Sequence, residues 1–341
     1  MDLTRRRLLV GALAAAPLLL LGRRAAAQSA GLLKISHQFP GGTLEEGDFR
    51  DRLCRRFGLE VEKRTRGALK FQVYAGSSLM KVNAQFGAMR VGALDMCLLP
   101  LPYAGGEVPE LNIALMPGIV TSYEQGAKWR NAEVGKALTD LLAEKGIVIV
   151  SWIWQAGGVA SRAVPLVAPE DAKGLKVRGG SREMDLMLKA AGAAVISLPS
   201  NELYAAMQTG AMDAAMTSST SLMSFRLEEV SKHLTSGRGK AYWFMLEPLL
   251  MSKNVFDKLG RDQQAVILQV GQELEKWGTE QARQDDQAVA DVYAKAGAKV
   301  HDLDDKGVER WRALAREAAW KDYAAKSPGC ARILALAEKT L

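Results

Sequence analysis

The sequence has few of the side chains that metal centres and disulfide frameworks require. Its 341 residues include only three cysteines and three histidines. Cys54, Cys97 and Cys330 are far apart and odd in number, which excludes a disulfide framework and favours buried free thiols. Neither HExxH, CxxC nor a paired-histidine spacing occurs, so the chain has no pattern for a zinc site.

Motifs for nucleotide binding and for nucleophilic hydrolysis are missing as well. The segment YAGS (74–77) lacks the lysine and the several glycines of a phosphate-binding loop, and VRGGS (177–181) lacks the GxGxxG spacing. No GxSxG nucleophile elbow occurs. The sequence therefore indicates neither ATP nor a dinucleotide, and we expect no cofactor.

Positive charge is not concentrated on the body of the chain. The formal net charge is +7, but residues 1–27 contain five arginines and one acidic residue, and they contribute +4 of it. A nucleic-acid-binding protein normally presents a concentrated basic face. We therefore expect no nucleic-acid partner.

The N-terminal segment has the pattern of an export signal. A basic cluster precedes an apolar run over 8–21, and Ala25, Ala26 and Ala27 follow. The run is too short to span a membrane and has the length of a signal-peptide core. The string TRRRLL (4–9) is similar to a twin-arginine export signal, with an ordinary secretory signal as the alternative. Either signal predicts cleavage near Ala27 and a periplasmic protein.

Alternating strand and helix patterns predict an α/β fold with two lobes. Strands are predicted at 32–38, 69–75, 94–99, 147–154, 175–177, 194–197, 212–216 and 241–252, and helices at 49–61, 82–89, 124–144, 182–191, 200–209 and 262–296. The rhythm restarts after Trp154, which indicates a second α/β unit. The stretch 262–296 contains no proline and would form a helix of roughly 50 Å, long enough to lie across both lobes.

This pattern predicts a division of the chain into an export signal and two lobes. The signal takes 1–27, the first lobe takes 28–153 and 241–270, and the second lobe takes 154–240 and 271–341, with 262–296 as the bridging helix. The strand predicted over 241–252 passes between the lobes.

Candidate ligand-binding residues directly follow the predicted strands, because ligands of open α/β lobes bind beyond the carboxyl ends of the strands. Arg178 is followed by two glycines and a serine, and its planar fork could bind both oxygens of a carboxylate. The alternative is an arginine paired with a neighbouring Asp or Glu. The other candidates are Gln38, Phe39, Tyr103, Thr217 and Ser218, with Trp154 and Trp243 as aromatic walls; core packing and helix capping are the alternatives for these.

Five segments together resemble the solute-binding protein of tripartite ATP-independent periplasmic (TRAP) transporters, of the DctP type. They are LKISHQ (33–38), GALKFQVYAGSSL (67–79), VGALDM (91–96), APEDAKGLKVRGG (168–180) and NELYAAMQTGAMDAA (201–215), in the family's order and spacing. The resemblance implies a clam-like periplasmic binding protein with a long helix bridging its two lobes. It also implies that Arg178 binds the ligand's carboxylate and that the membrane subunits of a TRAP permease are the partners.

The chain departs from the family's ligand-binding positions in ways that bear on the ligand. Members that bind sialic acid carry a second arginine where this chain has Gly158, and Arg162 lies roughly 13 Å further along the strand. The same members have Glu and Arg where this chain has Pro100 and Tyr103. Members that bind keto acids have a metal-binding glutamate at the position of Met216, so we expect no metal. These departures predict a monocarboxylate with an apolar or aromatic body.

The sequence thus predicts a periplasmic receptor that closes around a small organic carboxylate and delivers it to a TRAP permease, and not an enzyme. A secreted hydrolase or lyase on the same fold would need a nucleophile or an acid–base pair, and the strand-end residues supply no evident base. A ligand-sensing receptor for a signalling partner is the other alternative, because the chain alone does not separate sensing from transport.

Overall fold

The computed structural model describes residues 31–341, so the export signal expected over 1–27 lies outside the described residues. The strands are β1 (Gly31–Ser36), β2 (Leu69–Tyr74), β3 (Met96–Leu98), β4 (Ile147–Ser151), β5 (Trp154–Ser161), β6 (Lys176–Arg178), β7 (Ala194–Val195), β8 (Ala214–Ser218), β9 (His233–Ser236), β10 (Phe244–Leu246), β11 (Leu249–Ser252) and β12 (Lys299–Asp302). The α-helices are α1 (Phe49–Arg64), α2 (Val82–Arg90), α3 (Tyr123–Trp129), α4 (Glu133–Glu144), α5 (Arg182–Ala190), α6 (Leu203–Gln208), α7 (Ser219–Ser224), α8 (Lys253–Phe256), α9 (Arg261–Lys295), α10 (Asp305–Ala315), α11 (Lys321–Lys326) and α12 (Pro328–Glu338).

The first sheet has five strands in the order β2-β1-β3-β11-β4. Strands β1, β2 and β3 are parallel, and β11 runs antiparallel between β3 and β4. Helix α1 packs against β2, and its predicted stripe Phe49, Leu53, Phe57 and Val61 is fully buried, as the four-residue spacing requires. This sheet and its helices form the first lobe.

The second sheet contains β12-β9-β5-β8-β6-β7, with β10 paired to β5. Strand β5 runs antiparallel to β8, β9 and β10, and its register places Gly157 opposite Ser218 and Gly158 opposite Thr217. Strands β6 and β8 are parallel, so Arg178 and Ser218 end neighbouring strands at the same edge. The two-lobed α/β fold predicted from the sequence is confirmed.

Helix α9 is the bridging helix that the proline-free stretch predicts. Its 35 residues run without interruption and contact α1 and β4 of the first lobe and β5, β9 and α7 of the second. Gly271 and Gly278 lie where the helix crosses the strands. A side chain would not fit there, since a Cβ at Gly271 would come within 2.2 Å of the Val150 carbonyl oxygen. The glycines that weaken a helix in isolation therefore allow the close approach here.

Two apolar stretches that the sequence presents as single strands are each divided in two. The stretch 147–154 breaks after Ser151 into β4 and β5, and 241–252 breaks at Glu247 and Pro248 into β10 and β11. In each pair, one strand belongs to each sheet, since the chain crosses between the lobes at these breaks. Pro248 has no N–H with which to continue a ladder, which fixes the second break.

Other segments also differ from the expected division of the chain. Strand β10, expected with the first lobe, pairs with β5 of the second sheet, and α12, expected with the second lobe, packs against α4 of the first. The helix expected over 124–144 is divided into α3 and α4. Within residues 31–341, no helix is both long and apolar enough to cross a membrane.

Candidate ligand-binding site

A small enclosed cavity lies between the two lobes, at the ends of β6 and β8. Its side chains pack closely in this arrangement, and the remaining cavity volume is about 10 Å³, room for about one water molecule. Its walls combine two arginines, a buried glutamate, hydroxyl groups and apolar side chains. Its principal side chains are Arg50, Pro100, Tyr103, Leu115, Arg178, Met216, Thr217, Ser218, Ser221, Trp243, Met245 and Glu247.

Arg178 is held in the cavity wall by neutral acceptors alone. It is only 4% exposed, and it donates from Nε to the carbonyl oxygen of Leu198 (3.0 Å) and from Nη1 to that of Met216 (2.7 Å). Nη2 donates to Tyr103 Oη at 2.9 Å. No carboxylate of residues 31–341 forms an ion pair with it; Asp185 instead accepts a bond from Gly179 N at 3.2 Å. Burial raises the pKa of Asp185 to about 6, although the charge of Arg178 opposes this rise.

Tyr103 supplies a hydroxyl group whose own hydrogen is free. The residue lies in the turn after β3, and its oxygen accepts hydrogen bonds from Arg178 Nη2 and from Ser200 N, the latter at 3.0 Å. A phenol oxygen has two acceptor sites and one O–H, so both acceptor sites are taken. The described residues provide no acceptor for the O–H, which can donate into the cavity.

Arg50 is a second cavity arginine, and the sequence analysis missed it. It lies fully buried in the first turn of α1, where the carboxylate of the N-cap residue Asp48 accepts from Nε (2.9 Å) and Nη2 (2.7 Å). Its guanidinium also donates across the lobe interface to Ser218 Oγ (3.2 Å) and Ser221 Oγ (3.0 Å). The ring of Phe39 lies 3.5 Å from its guanidinium carbon. No sequence signal marks Arg50, because an arginine in the first turn of an amphipathic helix is ordinarily solvated.

Glu247 is the cavity's buried acidic group. It lies between β10 and β11, and its Oε2 accepts from Arg50 Nη1 at 3.3 Å and from Gln155 Nε2. Burial raises the pKa of Glu247, and the positive charge of Arg50 only partly opposes this. For Asp48, burial is also the largest influence, but the charge and hydrogen bonds of Arg50 outweigh it and lower the pKa. Arg50 thus stabilises the ionised form of Asp48 far better than that of Glu247.

The structure brings five of the eight predicted site residues to the cavity: Tyr103, Arg178, Thr217, Ser218 and Trp243. Phe39 lies beneath the guanidinium of Arg50 and does not line the cavity itself. Gln38 is buried, and neither atom of its amide has a partner within the described part of the chain.

Trp154 lies away from the cavity, in the core beside α3. Its ring packs edge-on against Trp129 with the ring centres 5.1 Å apart. Gly126 leaves the space for it, since a Cβ there would come within 2.7 Å of the indole. Trp154 therefore does not form an aromatic wall of the cavity, contrary to the expectation from the sequence.

The structure also shows why Gly158 carries no side chain and where Arg162 lies. A Cβ at Gly158 would come within 2.4 Å of the Thr235 carbonyl oxygen, so the tight pairing of β5 with β9 excludes a larger residue. Arg162 follows β5 and lies beside Gly210, outside the cavity. The second arginine of this cavity comes instead from α1.

A larger groove opens to solvent on the other side of Arg178. Its volume is about 630 Å³, and Arg182, Asp185 and Lys326 lie in its walls. Tyr103 and Arg178 belong to the walls of both the groove and the enclosed cavity. Residues 31–341 contain no cluster of three or more His, Cys, Asp or Glu side chains suited to a metal ion.

The DctP family, described as bacterial extracellular solute-binding protein, family 7, matches residues 42–327 of the chain. The chain belongs to this family. A solute-binding protein of Albidiferax ferrireducens is 69% identical over 309 residues, which cover 91% of each chain. The C4-dicarboxylate-binding periplasmic protein DctP of Rhodobacter capsulatus is 27% identical over 247 residues, which cover 71% of this chain and 73% of that protein.

Solved structures of the family share the two-lobed architecture. A TRAP periplasmic solute-binding protein from Rhodoferax ferrireducens, solved with bound malonate, is 68% identical and superposes with a TM-score of 0.90 over 90% of this chain and 98% of that one. A second, from a Sulfitobacter species with bound β-D-galacturonate, has a TM-score of 0.81 at 23% identity, with 91% and 100% of the two chains covered, and supports the fold alone.

Proposed function

We propose that this family 7 protein is a periplasmic receptor that binds a small organic acid between its lobes and delivers it to a TRAP membrane permease. The observation that carries this proposal is Arg178, a buried guanidinium in the cavity wall that forms no ion pair with any carboxylate of the described residues. A buried charge is costly unless it is paired. The carboxylate of a ligand provides the missing partner.

The cavity favours a compact acid with a second oxygen-bearing group. Beside Arg178 it presents the free O–H of Tyr103, the Arg50–Glu247 pair and the hydroxyl groups of Ser218 and Ser221. A buried polar group that is left unpaired costs roughly 1–3 kcal/mol, so these groups disfavour a wholly apolar body. The sequence led us to expect an aromatic monocarboxylate as the ligand. The cavity instead favours an acid of the size of malonate, and the structure of the Rhodoferax relative contains bound malonate.

Ligand binding and closure of the lobes are coupled in this proposal. Contacts between the lobes include Arg178–Tyr103, Arg50–Ser221 and Asn112 Nδ2 to Glu183 Oε1 (3.2 Å). An acid that contacts Arg178 and the first-lobe groups together stabilises the closed arrangement over the open one. Exclusion of water also strengthens the attraction of Arg178 for the carboxylate.

The arrangement of the hydroxyl groups supports a receptor rather than a hydrolase. Ser218 and Ser221 both accept hydrogen bonds from Arg50, and Ser218 Oγ donates to Ser221 Oγ at 3.1 Å. A catalytic serine instead needs a neighbouring base that accepts its proton. A positively charged guanidinium does not accept one.

The proposal is tested by thermal unfolding of purified protein from which retained ligand has been removed by unfolding and refolding. The additives are malonate, C4-dicarboxylates, aromatic monocarboxylates and hexuronates. We expect the small dicarboxylates to raise the unfolding temperature most, and we expect Arg178→Ala to abolish this rise. The control Arg238→Ala removes a surface arginine paired with Asp302 and should respond as the wild type does. Stabilisation by hexuronates alone would contradict the proposed ligand class.

A further inference from the structure

Glu247 presents a problem for a receptor of acids, because an ionised carboxylate in the cavity wall would repel the ligand. We propose that Glu247 is protonated when the receptor closes around its ligand and donates this proton to a ligand oxygen, so that binding of a small acid takes up a proton. This inference rests on the proposed function and adds the role of one residue to it.

The geometry leaves one oxygen of Glu247 available. Oε2 accepts from Arg50 and Gln155, whereas Oε1 has no hydrogen-bond partner within residues 31–341. The side chain is fully buried and belongs to the cavity wall. A protonated Oε1 would be a donor that needs an acceptor, and a ligand oxygen in the cavity supplies one.

The surrounding charges do not support a second ionised carboxylate. Asp48 already holds Arg50 through two hydrogen bonds, and Glu247 receives a single longer one from Nη1. Asp285 on α9 adds negative charge near Asp48 and Arg50. Arg178 also lines this cavity, but no hydrogen bond or ion pair joins it to Glu247 within residues 31–341.

Protonation of Glu247 removes the excess negative charge from the cavity wall. If Glu247 were ionised, Asp48 and Glu247 would set two negative charges against the single positive charge of Arg50, and this wall of the cavity would repel an anion. With Glu247 neutral, Asp48 balances Arg50, and Arg178 is available to the ligand's carboxylate because it forms no ion pair within residues 31–341, although Asp185 is close enough to feel its charge. Burial, which raises the pKa of Glu247, acts in the same direction.

Proton donation also narrows the class of ligand. The carboxylate that Arg178 binds takes one end of the molecule, and the O–H of Glu247 requires an acceptor oxygen at the other. A second carboxylate, a keto group or a hydroxyl group satisfies this requirement. An acid with a hydrocarbon body would leave the O–H of Glu247 unpaired.

The inference is tested by isothermal titration calorimetry with malonate between about pH 7 and 9, in buffers of different ionisation enthalpy. We expect the wild type to take up a proton on binding and its affinity to fall by up to about tenfold per pH unit. Glu247→Gln should bind malonate with an affinity that changes less than about threefold over this range, because the amide donates without titrating. The control Glu275→Gln removes another carboxyl whose pKa burial raises, to about 7, but which lies outside the cavity, and it should retain the wild-type profile.

Two results would overturn the inference while leaving the proposed receptor intact. One is malonate binding by the wild type without proton uptake, a measurement that needs no variant. The other is binding that depends on added Na⁺ or Ca²⁺ instead of pH, which would show that Glu247 is ionised and holds a cation.

A second measurement decides the inference even if malonate does not bind at any pH, a result that would itself count against the proposed ligand class. If the fold disfavours the ionised form of Glu247, which predominates in the ligand-free protein at pH 8.5, Glu247→Gln should raise the unfolding temperature relative to the wild type at pH 8.5 and not at pH 5. An equal difference in unfolding temperature between variant and wild type at both pH values would contradict protonation of Glu247.

Discussion

Arg178 on β6 and Tyr103 in the turn after β3 are joined by a hydrogen bond of 2.9 Å across the interface between the lobes. The same phenol oxygen accepts the backbone N–H of Ser200, so one first-lobe residue contacts two segments of the second lobe. The guanidinium that we propose binds the carboxylate is therefore oriented by a contact between the lobes. Ligand recognition and closure share this pair of residues.

Replacement of Arg178 by alanine should weaken malonate binding by about 2–5 kcal/mol, because the ligand's carboxylate loses its buried partner. Calorimetry on the stripped protein measures the loss, with Arg238→Ala as the surface control. Arg178 is almost fully buried and holds the carbonyl groups of Leu198 and Met216, so the variant should also unfold at a lower temperature. Affinity within about threefold of the wild type would reject this role.

Tyr103→Phe should weaken ligand binding by about 1.5–3 kcal/mol, the range for a hydrogen bond that involves a charged group. The variant keeps the ring but removes the acceptor of Arg178 Nη2 and the free O–H. Small-angle scattering at saturating malonate should show a larger radius of gyration than the wild type at equal ligand concentration. Tyr204→Phe is the control, since its hydroxyl bonds Glu229 at the surface. Equal affinity and equal compaction in Tyr103→Phe would contradict the coupling.

Arg50→Met should destabilise the fold by about 3–5 kcal/mol, because it leaves the buried carboxylate of Asp48 without its counter-ion. Urea unfolding followed by circular dichroism measures the change. The double variant Asp48→Asn/Arg50→Met should recover part of the loss, since no unpaired charge remains. Arg64→Met breaks an exposed pair with Glu273 and should change stability little. A loss below about 1 kcal/mol for Arg50→Met would show that water reaches this network.

Glu183→Gln should stabilise the protein at alkaline pH and not at acidic pH. Burial raises the pKa of Glu183 to about 7, although Arg182 Nη1 at 3.5 Å and a hydrogen bond from Asn112 oppose this rise. The stabilising contribution of the neutral carboxyl is complete below its usual pKa of 4.5 and is lost as pH rises through about 7. Thermal unfolding at pH 5 and pH 8.5 should show a gain of roughly 2–3 kcal/mol for the variant at the higher pH alone. A gain of the same size at pH 5 would contradict the assigned pKa.

Features governed by local pattern could be predicted from the sequence. The four-residue apolar spacing of α1 and the proline-free run of α9 both produced helices close to their expected bounds. Arg178 could be predicted because it directly follows a strand, which the local sequence pattern shows. In open α/β folds, residues at that end of the strands line the ligand site.

Features that depend on contacts between distant segments could not be predicted. Arg50 is buried only because α1 packs against the second-lobe residues Ser218 and Ser221, about 170 positions later in the chain. Trp154 faces α3 because the chain crosses between sheets at 152–153, and nothing in the run of apolar letters marks that crossing. Glu247 was overlooked for the same reason, since a continuous strand over 241–252 would have hidden the break at which it lies.

We propose that Arg178 and Tyr103 together bind the carboxylate of a small acid in the cavity between the lobes. A crystal structure of the protein grown with malonate after removal of retained ligand tests it most directly. We expect one carboxylate with its oxygens about 2.7–2.9 Å from the guanidinium nitrogens of Arg178, and one oxygen within about 3 Å of Tyr103 Oη. The lobes should be closed, with the second carboxylate directed toward Glu247. Malonate bound only in the outer groove beside Arg182 and Lys326, or an occupied cavity in which Arg178 contacts no carboxylate, would contradict this account.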